Sequence, residues 1–201
     1  ENRGLALETA TVAVVGGSGS IGLACAEMLA PMVGRLVLVG RREIRLSQAR
    51  AQAEAAGAAD VRVSTELADV ATADVVLSAT SSSRPVLTAR HLKKNVIVCD
   101  VALPRDVDPS VSRDRSDVLV IDGGMVGLPG MLDLGFELGL PAGRISACMA
   151  EVIILALEGR YESFSLGQRV QTEKVREITQ LARKHGFRLS AGGVFIEAGN
   201  G

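Results

Sequence analysis

Six short segments in the first 121 residues are rich in Val, Ile or Leu, and all but VRVS carry them at both odd and even positions: 11–15 (TVAVV), 35–40 (RLVLVG), 61–64 (VRVS), 74–79 (DVVLSA), 95–99 (NVIVC) and 118–121 (VLVI). A strand that alternates apolar with polar residues has one wet face, whereas a strand apolar throughout must be covered on both. Helical stretches predicted over 20–33 and 43–57 supply such cover, and only short connections follow them. This β-α-β order predicts an α/β domain built on a doubly wound parallel sheet. It runs over 9–145, after a linker at 1–8, and a hydrophobic content of 47% over 201 residues is enough to fill its core.

Beyond residue 145 the pattern changes. Residues 146–158 read as a helix that is apolar nearly all round, which predicts burial. Residues 172–185 are amphipathic, with Val175, Ile178, Leu181 and Ala182 on one side, Thr172 as the predicted N-cap and Gly186 as the stop. The fold expected is therefore a doubly wound sheet with additional C-terminal helices over 146–189, ending in a flexible, Gly-rich tail at 190–201. The chain opens at Glu1 without methionine and reaches its first strand almost at once, which suggests an excised domain with a segment missing upstream, or a processed product.

Charge and composition remove several function classes. A net charge of -1 and an aromatic content of 2% provide neither a basic stripe nor a stacking platform for nucleic acid. The longest apolar stretch, 145–157, is shorter than the roughly 20 residues of a spanning helix and is interrupted by Glu151, so no transmembrane segment is expected. Cys25, Cys99 and Cys148 make no C-x-x-C pair and no cluster with His91 or His185. No metal is expected, and a reducing cytoplasm fits this cysteine usage.

The first strand runs into glycines and serines, VAVVGGSGSIG over 12–22. Gly17, Gly19 and Gly22 satisfy G-x-G-x-x-G, while Gly16, Gly19 and Gly22 satisfy the variant spacing G-x-x-G-x-x-G, with Ser18, Ser20 and Ile21 between them. Either pattern alone is weak, and a plain turn is the alternative. Here it follows a predicted strand and opens a predicted helix within a βαβ unit, the setting of a Rossmann-like dinucleotide site. An NAD site places Asp or Glu at the end of the second strand, but this chain reads Gly40, Arg41, Arg42. Two guanidiniums suit a 2′-phosphate, so the expected cofactor is NADPH/NADP+; solvated arginines at a helix start are the alternative. Ala79, Thr80 and Ser81 after the fourth strand, and Gly123 and Gly124 after the sixth, are small enough to admit a ribose or nicotinamide ring. Ordinary turn chemistry accounts for the same residues equally well.

Four stretches in order, Ser146-Ala147-Cys148-Met149-Ala150-Glu151, then Tyr161-Glu162-Ser163-Phe164-Ser165-Leu166-Gly167, then Thr172-Glu173-Lys174 and Lys184-His185-Gly186-Phe187-Arg188, give the C-terminal part a recognisable signature. Together with the glycine stretch, they make nearly the whole chain resemble the cofactor-binding C-terminal part of cyanobacterial-type long-chain acyl-(acyl carrier protein) reductases. Cys99-Asp100-Val101-Ala102-Leu103-Pro104-Arg105 resembles the wider shikimate-dehydrogenase-like group. The first resemblance implies NADPH-dependent reduction of a fatty acyl thioester to an aldehyde through an acyl-cysteine. It also implies an acyl carrier protein or coenzyme A thioester as partner, a separate N-terminal substrate domain, and Cys148 as nucleophile.

The residues support that nucleophile independently. With Ser146 as cap, Cys148 lies in the first helical turn, where unpaired N–H groups and the macrodipole favour an anion such as a thiolate. A small apolar residue packing a buried helix is the competing account. Cys25 and Cys99 read as core packing, His185 as a helix-end cation, His91 as solvated beside Lys93 and Lys94, and Glu151 as a carboxylate that needs a partner. Two other functions stay open: a shikimate/quinate-type dehydrogenase, and a non-catalytic NADP-binding module.

Overall fold

The computed structural model of the protein describes residues 4–130, 140, 142–165, 167 and 169–189. Six parallel strands, β1 (Thr11–Val15), β2 (Arg35–Val39), β3 (Val61–Ser64), β4 (Val75–Ser78), β5 (Ile97–Asp100) and β6 (Leu119–Asp122), form one sheet in the order β3-β2-β1-β4-β5-β6. Successive strand residues point to opposite faces. Val12, Val14, Leu36 and Leu38 therefore meet α1 (Ser20–Leu29) and α2 (Glu43–Ala55), packing on Ala26, Ala30, Leu46, Ala49 and Ala53. Ala13, Val15, Val37 and Val39 turn the other way, onto Val70, Leu87, Leu92, Val107 and Val111. This second face is covered by 3-10 turns at Leu67–Thr72 and Ala89–His91 and by the short α3 (Pro109–Asp114) rather than by long helices.

Local chemistry sets the boundaries. α1 stops at Leu29, short of the predicted residue 33, because Pro31 has no N–H with which to continue it. α3 opens with Pro109 in its first turn, and the Asp108 carboxylate accepts from the Ser110 N–H. Residues Leu7–Thr9, across the end of the expected linker, form a 3-10 turn, and the Leu7 carbonyl accepts from the Gly34 N–H.

A second layer follows the sheet. β7 (Met125–Gly127), β8 (Arg144–Ser146) and β9 (Arg188–Leu189) pair antiparallel in the order β8-β7-β9, joined by α4 (Ala147–Leu157) and α5 (Thr172–Lys184). Their core is Ile145, Ala150, Ile154 and Phe187, flanked by Val126, Met149, Ile178 and Leu181. The burial predicted all round α4 holds for one face only. Val152 is 66% and Leu157 59% exposed, because a small sheet and one neighbouring helix can cover only one side of it. Thr172 is the first residue of α5 rather than its cap; Gln171 takes the cap position without a side-chain bond. Gly186, at φ +78°, does end the helix. Phe164 lies between Arg160 and Lys174, whose charges sit 4.9 and 4.7 Å from the ring centroid, and Arg169 reaches Glu27 of α1 at 3.3 Å. Leu166 and the tail at 190–201 lie outside the described residues. Among the described residues, no helix is long and apolar enough to cross a membrane.

Candidate cofactor cleft and nucleophile

A cavity of about 600 Å³ opens at the carboxyl ends of β1, β2 and β4, where the strand order reverses. Its floor is Gly16, Ser18, Gly19, Ser20 and Ile21. Gly16 has φ +80°, and a Cβ there would come within 2.5 Å of the Ala79 carbonyl oxygen. The Gly19 N–H donates to the Gly16 carbonyl at 2.8 Å, and a Cβ on Gly22 would strike that same carbonyl. Gly17 and Gly22 are buried and do not line the cavity: Gly17 packs on Leu38, and Gly22 lets α1 sit on the turn. The spacing that builds the cradle is thus Gly16, Gly19, Gly22. It aims the N-terminus of α1, with its free N–H groups, into the cavity, as an anionic phosphate requires.

Arg41 and Arg42 stand exposed on the rim, joined by Arg45 from the first turn of α2. Among the described residues none of the three is held in an ion pair. Sequence reasoning missed Arg45; its signal is a third arginine, in the first helical turn after Arg41 and Arg42. A glycine floor, a helix N-terminus and three guanidiniums fit an adenine dinucleotide with an additional phosphate on its ribose.

Ala79, Thr80 and Ser81 form the opposite wall, while Ser78 ends β4 fully buried and away from the cavity. Two buried carboxylates that sequence reasoning missed shape this region; their signal is a pair of acids in the stretch 98–107, which is apolar apart from them and Arg105. Asp100 accepts from the Ala102 and Val107 N–H groups at 3.1 and 3.0 Å. Burial pushes its pKa up, opposed by those two backbone bonds. Asp106 accepts from Ser78 Oγ at 2.6 Å, the Thr80 N–H at 2.8 Å and Thr80 Oγ1 at 2.5 Å.

Gly123 and Gly124 do not line the cavity either; they follow β6 along the same edge of the sheet. Asp122 holds this loop, accepting from the Gly124 N–H at 3.1 Å and from Arg105 Nη2 at 2.5 Å. Met125 then pairs with Ser146, and the Ala147 N–H donates to the Gly124 carbonyl at 2.8 Å. The next residue is Cys148, exposed, in the first turn of α4. Two sites far apart in sequence are therefore neighbours. Ser146 is the cap residue without capping; its Oγ lies 3.3 Å from Cys148 Sγ instead. The other thiols are half-buried. Burial pushes Cys25 up to about 11 and raises Cys99, which packs under Gly123 so closely that a Cβ there would sit 2.5 Å from its Sγ.

Glu151 finds its partner in Ser165, whose Oγ donates at 2.8 Å, and His185 Nε2 meets Glu158 Oε1 at 2.5 Å. His91 is buried, not solvated: its Nδ1 accepts from the Thr88 N–H at 3.1 Å, closing the 3-10 turn at Ala89–His91. Of the neighbouring lysines that suggested a wet surface, Lys93 is held by Asp74 at 2.5 Å.

The family model for shikimate / quinate 5-dehydrogenase matches residues 2–123. The chain belongs to that family. It is an NAD(P)-binding, oxidoreductase-type Rossmann domain, and this agrees with the strand order and the glycine cradle. Aminotransferase PigE of a Serratia species is 43% identical over 111 residues, covering 54% of this chain and 13% of that protein. A long-chain acyl-[acyl-carrier-protein] reductase of Synechococcus elongatus is 28% identical over 192 residues, covering 92% of this chain and 54% of that protein. The chain therefore spans about half the length of the second relative and far less of the first. Among solved structures, the nucleotide-binding domain of glutamyl-tRNA reductase from Thermoplasma volcanium is 21% identical, with a TM-score of 0.40 over 57% of this chain and 76% of that one. A shikimate 5-dehydrogenase from Mycobacterium fortuitum is 25% identical, with a TM-score of 0.41 over 59% and 47%.

Proposed function

We propose that the protein reduces a fatty acyl thioester, carried on acyl carrier protein or coenzyme A, to an aldehyde with NADPH, through an acyl group held on Cys148. The observation that carries this reading is the bond from the Ala147 N–H to the Gly124 carbonyl, which ties an exposed thiol to the edge of the sheet where the cofactor cavity opens. The extent of the similarities supports it: the dehydrogenase match ends at residue 123, whereas similarity to the acyl reductase covers 92% of the chain.

In this mechanism the N-terminus of α1 and its glycine turn take the pyrophosphate, and Arg41, Arg42 and Arg45 take the 2′-phosphate. Cys148, as thiolate, attacks the thioester carbonyl; its new C–S bond replaces the bond to the carrier, which leaves as a thiolate and takes its proton from water. First-turn N–H groups of α4, left uncapped by Ser146, face the developing oxyanion. Bound NADPH supplies a hydride to the acyl carbonyl. Breaking the remaining C–S bond frees the aldehyde and returns the Cys148 thiolate. The exposed face of α4, with Val152 and Leu157, packs on a substrate domain that these 201 residues do not include.

Aldehyde formation from an acyl thioester in the full-length enzyme tests the reading. Cys148→Ala is expected to reduce the rate by at least about a hundredfold while NADPH affinity stays within about twofold. A native rate in Cys148→Ala rejects the covalent route. It would favour the alternative of an alcohol dehydrogenase, the chemistry in the family's name, which needs no thiol.

A further inference from the structure

Asp106 is 0% exposed and does not line the cavity, yet both of its carboxylate oxygens are directed at the loop that does. One oxygen takes the Thr80 N–H and the Ser78 hydroxyl, and the other takes the Thr80 hydroxyl. Thr80 Oγ1 in turn accepts from the Ser82 N–H at 3.1 Å. The main chain of Asp106 works on the far end of the same segment: its carbonyl accepts from the Val86 and Leu87 N–H groups at 2.8 and 2.9 Å, and Val86 lines the cavity. The near end is fixed by the Ala79 N–H, which donates to the Val15 carbonyl at 3.0 Å, and by the Ala79 carbonyl, which abuts Gly16. Asp106 thus holds the cavity's wall at Thr80 and at Val86, while Ala79 sets its distance from the glycine turn.

We infer that Asp106 is a positioning residue for the dinucleotide: its carboxylate fixes residues 79–82 in the conformation that receives the cofactor, so affinity depends on a group that never touches it. This rests on the cofactor reading above. A fully buried carboxylate carries a desolvation cost and helps only when its acceptors are all engaged in one geometry. The three donors supply that geometry, two from the cofactor loop and one from the strand behind it. The strand bond gives an internal control, because Ser78 supports the fold without facing the cavity.

NADPH titration of the wild type, Thr80→Val, Thr80→Ser, Asp106→Asn, the Thr80→Val/Asp106→Asn double variant and Ser78→Ala separates positioning from plain stability. Thr80→Val and Asp106→Asn are expected to weaken binding about tenfold each, with the double variant no weaker than the worse single one. Thr80→Ser restores affinity to within about twofold, and Ser78→Ala lowers Tm while keeping affinity. In the ligand-free protein, amide exchange over 79–82 rises in Thr80→Val, which loss of a direct ligand contact would not produce. This measurement holds even where Asp106→Asn does not fold. Unchanged exchange, additive losses in the double variant, or equal weakening by Ser78→Ala would overturn the inference. A wild type without NADPH affinity would remove the cofactor reading, and this inference with it.

Discussion

At the scale of single residues, the proposed function assigns the choice of dinucleotide to the arginines on the rim. Replacing Arg41, Arg42 and Arg45 together with alanine removes charge-assisted bonds that only a 2′-phosphate can make, each worth about 1.5–3 kcal/mol. NADPH affinity is expected to fall by about a hundredfold or more and NADH affinity by less than about threefold, read by titration with each nucleotide; equal losses would show that the arginines see only shape or shared phosphates. The cysteines separate in the same local way. Cys148 is exposed, while burial holds the Cys25 and Cys99 thiols up, so iodoacetamide at about pH 8 modifies one site per chain, located by peptide mass. His91 provides a pH signature. Burial, reinforced by the adjacent Arg90, lowers its pKa in the folded state. The unfolded chain then binds the proton more readily, so the stability from the neutral ring is complete above the unfolded value of about 6.5 and is lost as pH falls from there through the lower folded value. Tm measured from pH 8 to 5 declines below about 6.5, with a shallower decline in His91→Gln.

At the scale of elements, α4 is the piece that puts the thiol in place, and its anchor is the small core around Ile154 and Ile145. Ile154→Ala leaves a cavity there and is expected to cost about 2–4 kcal/mol in urea denaturation, with NADPH affinity unchanged because the cofactor cavity belongs to the other layer. Five of the six central strands are legible from their double-sided apolar pattern, and β3, whose apolar residues alternate with Arg62 and Ser64, from its place after a helix; β1 and β3 lie at the predicted residues. The three strands that seat Cys148 are not. Each is two or three residues long, too short to carry a period, and β9 pairs with a strand about sixty residues upstream. Burial of α4 was misjudged because an apolar pattern tells how much surface wants cover, not whether this chain supplies it. Within the site, glycines and terminal arginines were visible as local chemistry. Asp106 was not, since its meaning lies in a contact with Thr80, 26 residues away in sequence.

At the scale of the whole molecule, the reversal of strand order at β1 opens the cavity, and the same sheet edge continues over β5 and β6 to Gly124 and the first turn of α4. Periodicity cannot specify that order, because every buried parallel strand reads alike. The topology gives a cofactor site and a thiol that face the same edge through different layers of the protein. Under the proposed function, acyl transfer and hydride transfer are then separable steps, each with its own variants. Rapid-quench mass spectrometry of the full-length enzyme tests this most directly. Mixed with an acyl thioester in the absence of NADPH, the enzyme is predicted to carry one acyl group on Cys148. On mixing with NADPH, that group is predicted to clear at the rate at which aldehyde forms. Aldehyde formed at full rate with no acyl group on Cys148, or an adduct that persists through turnover, would contradict the account.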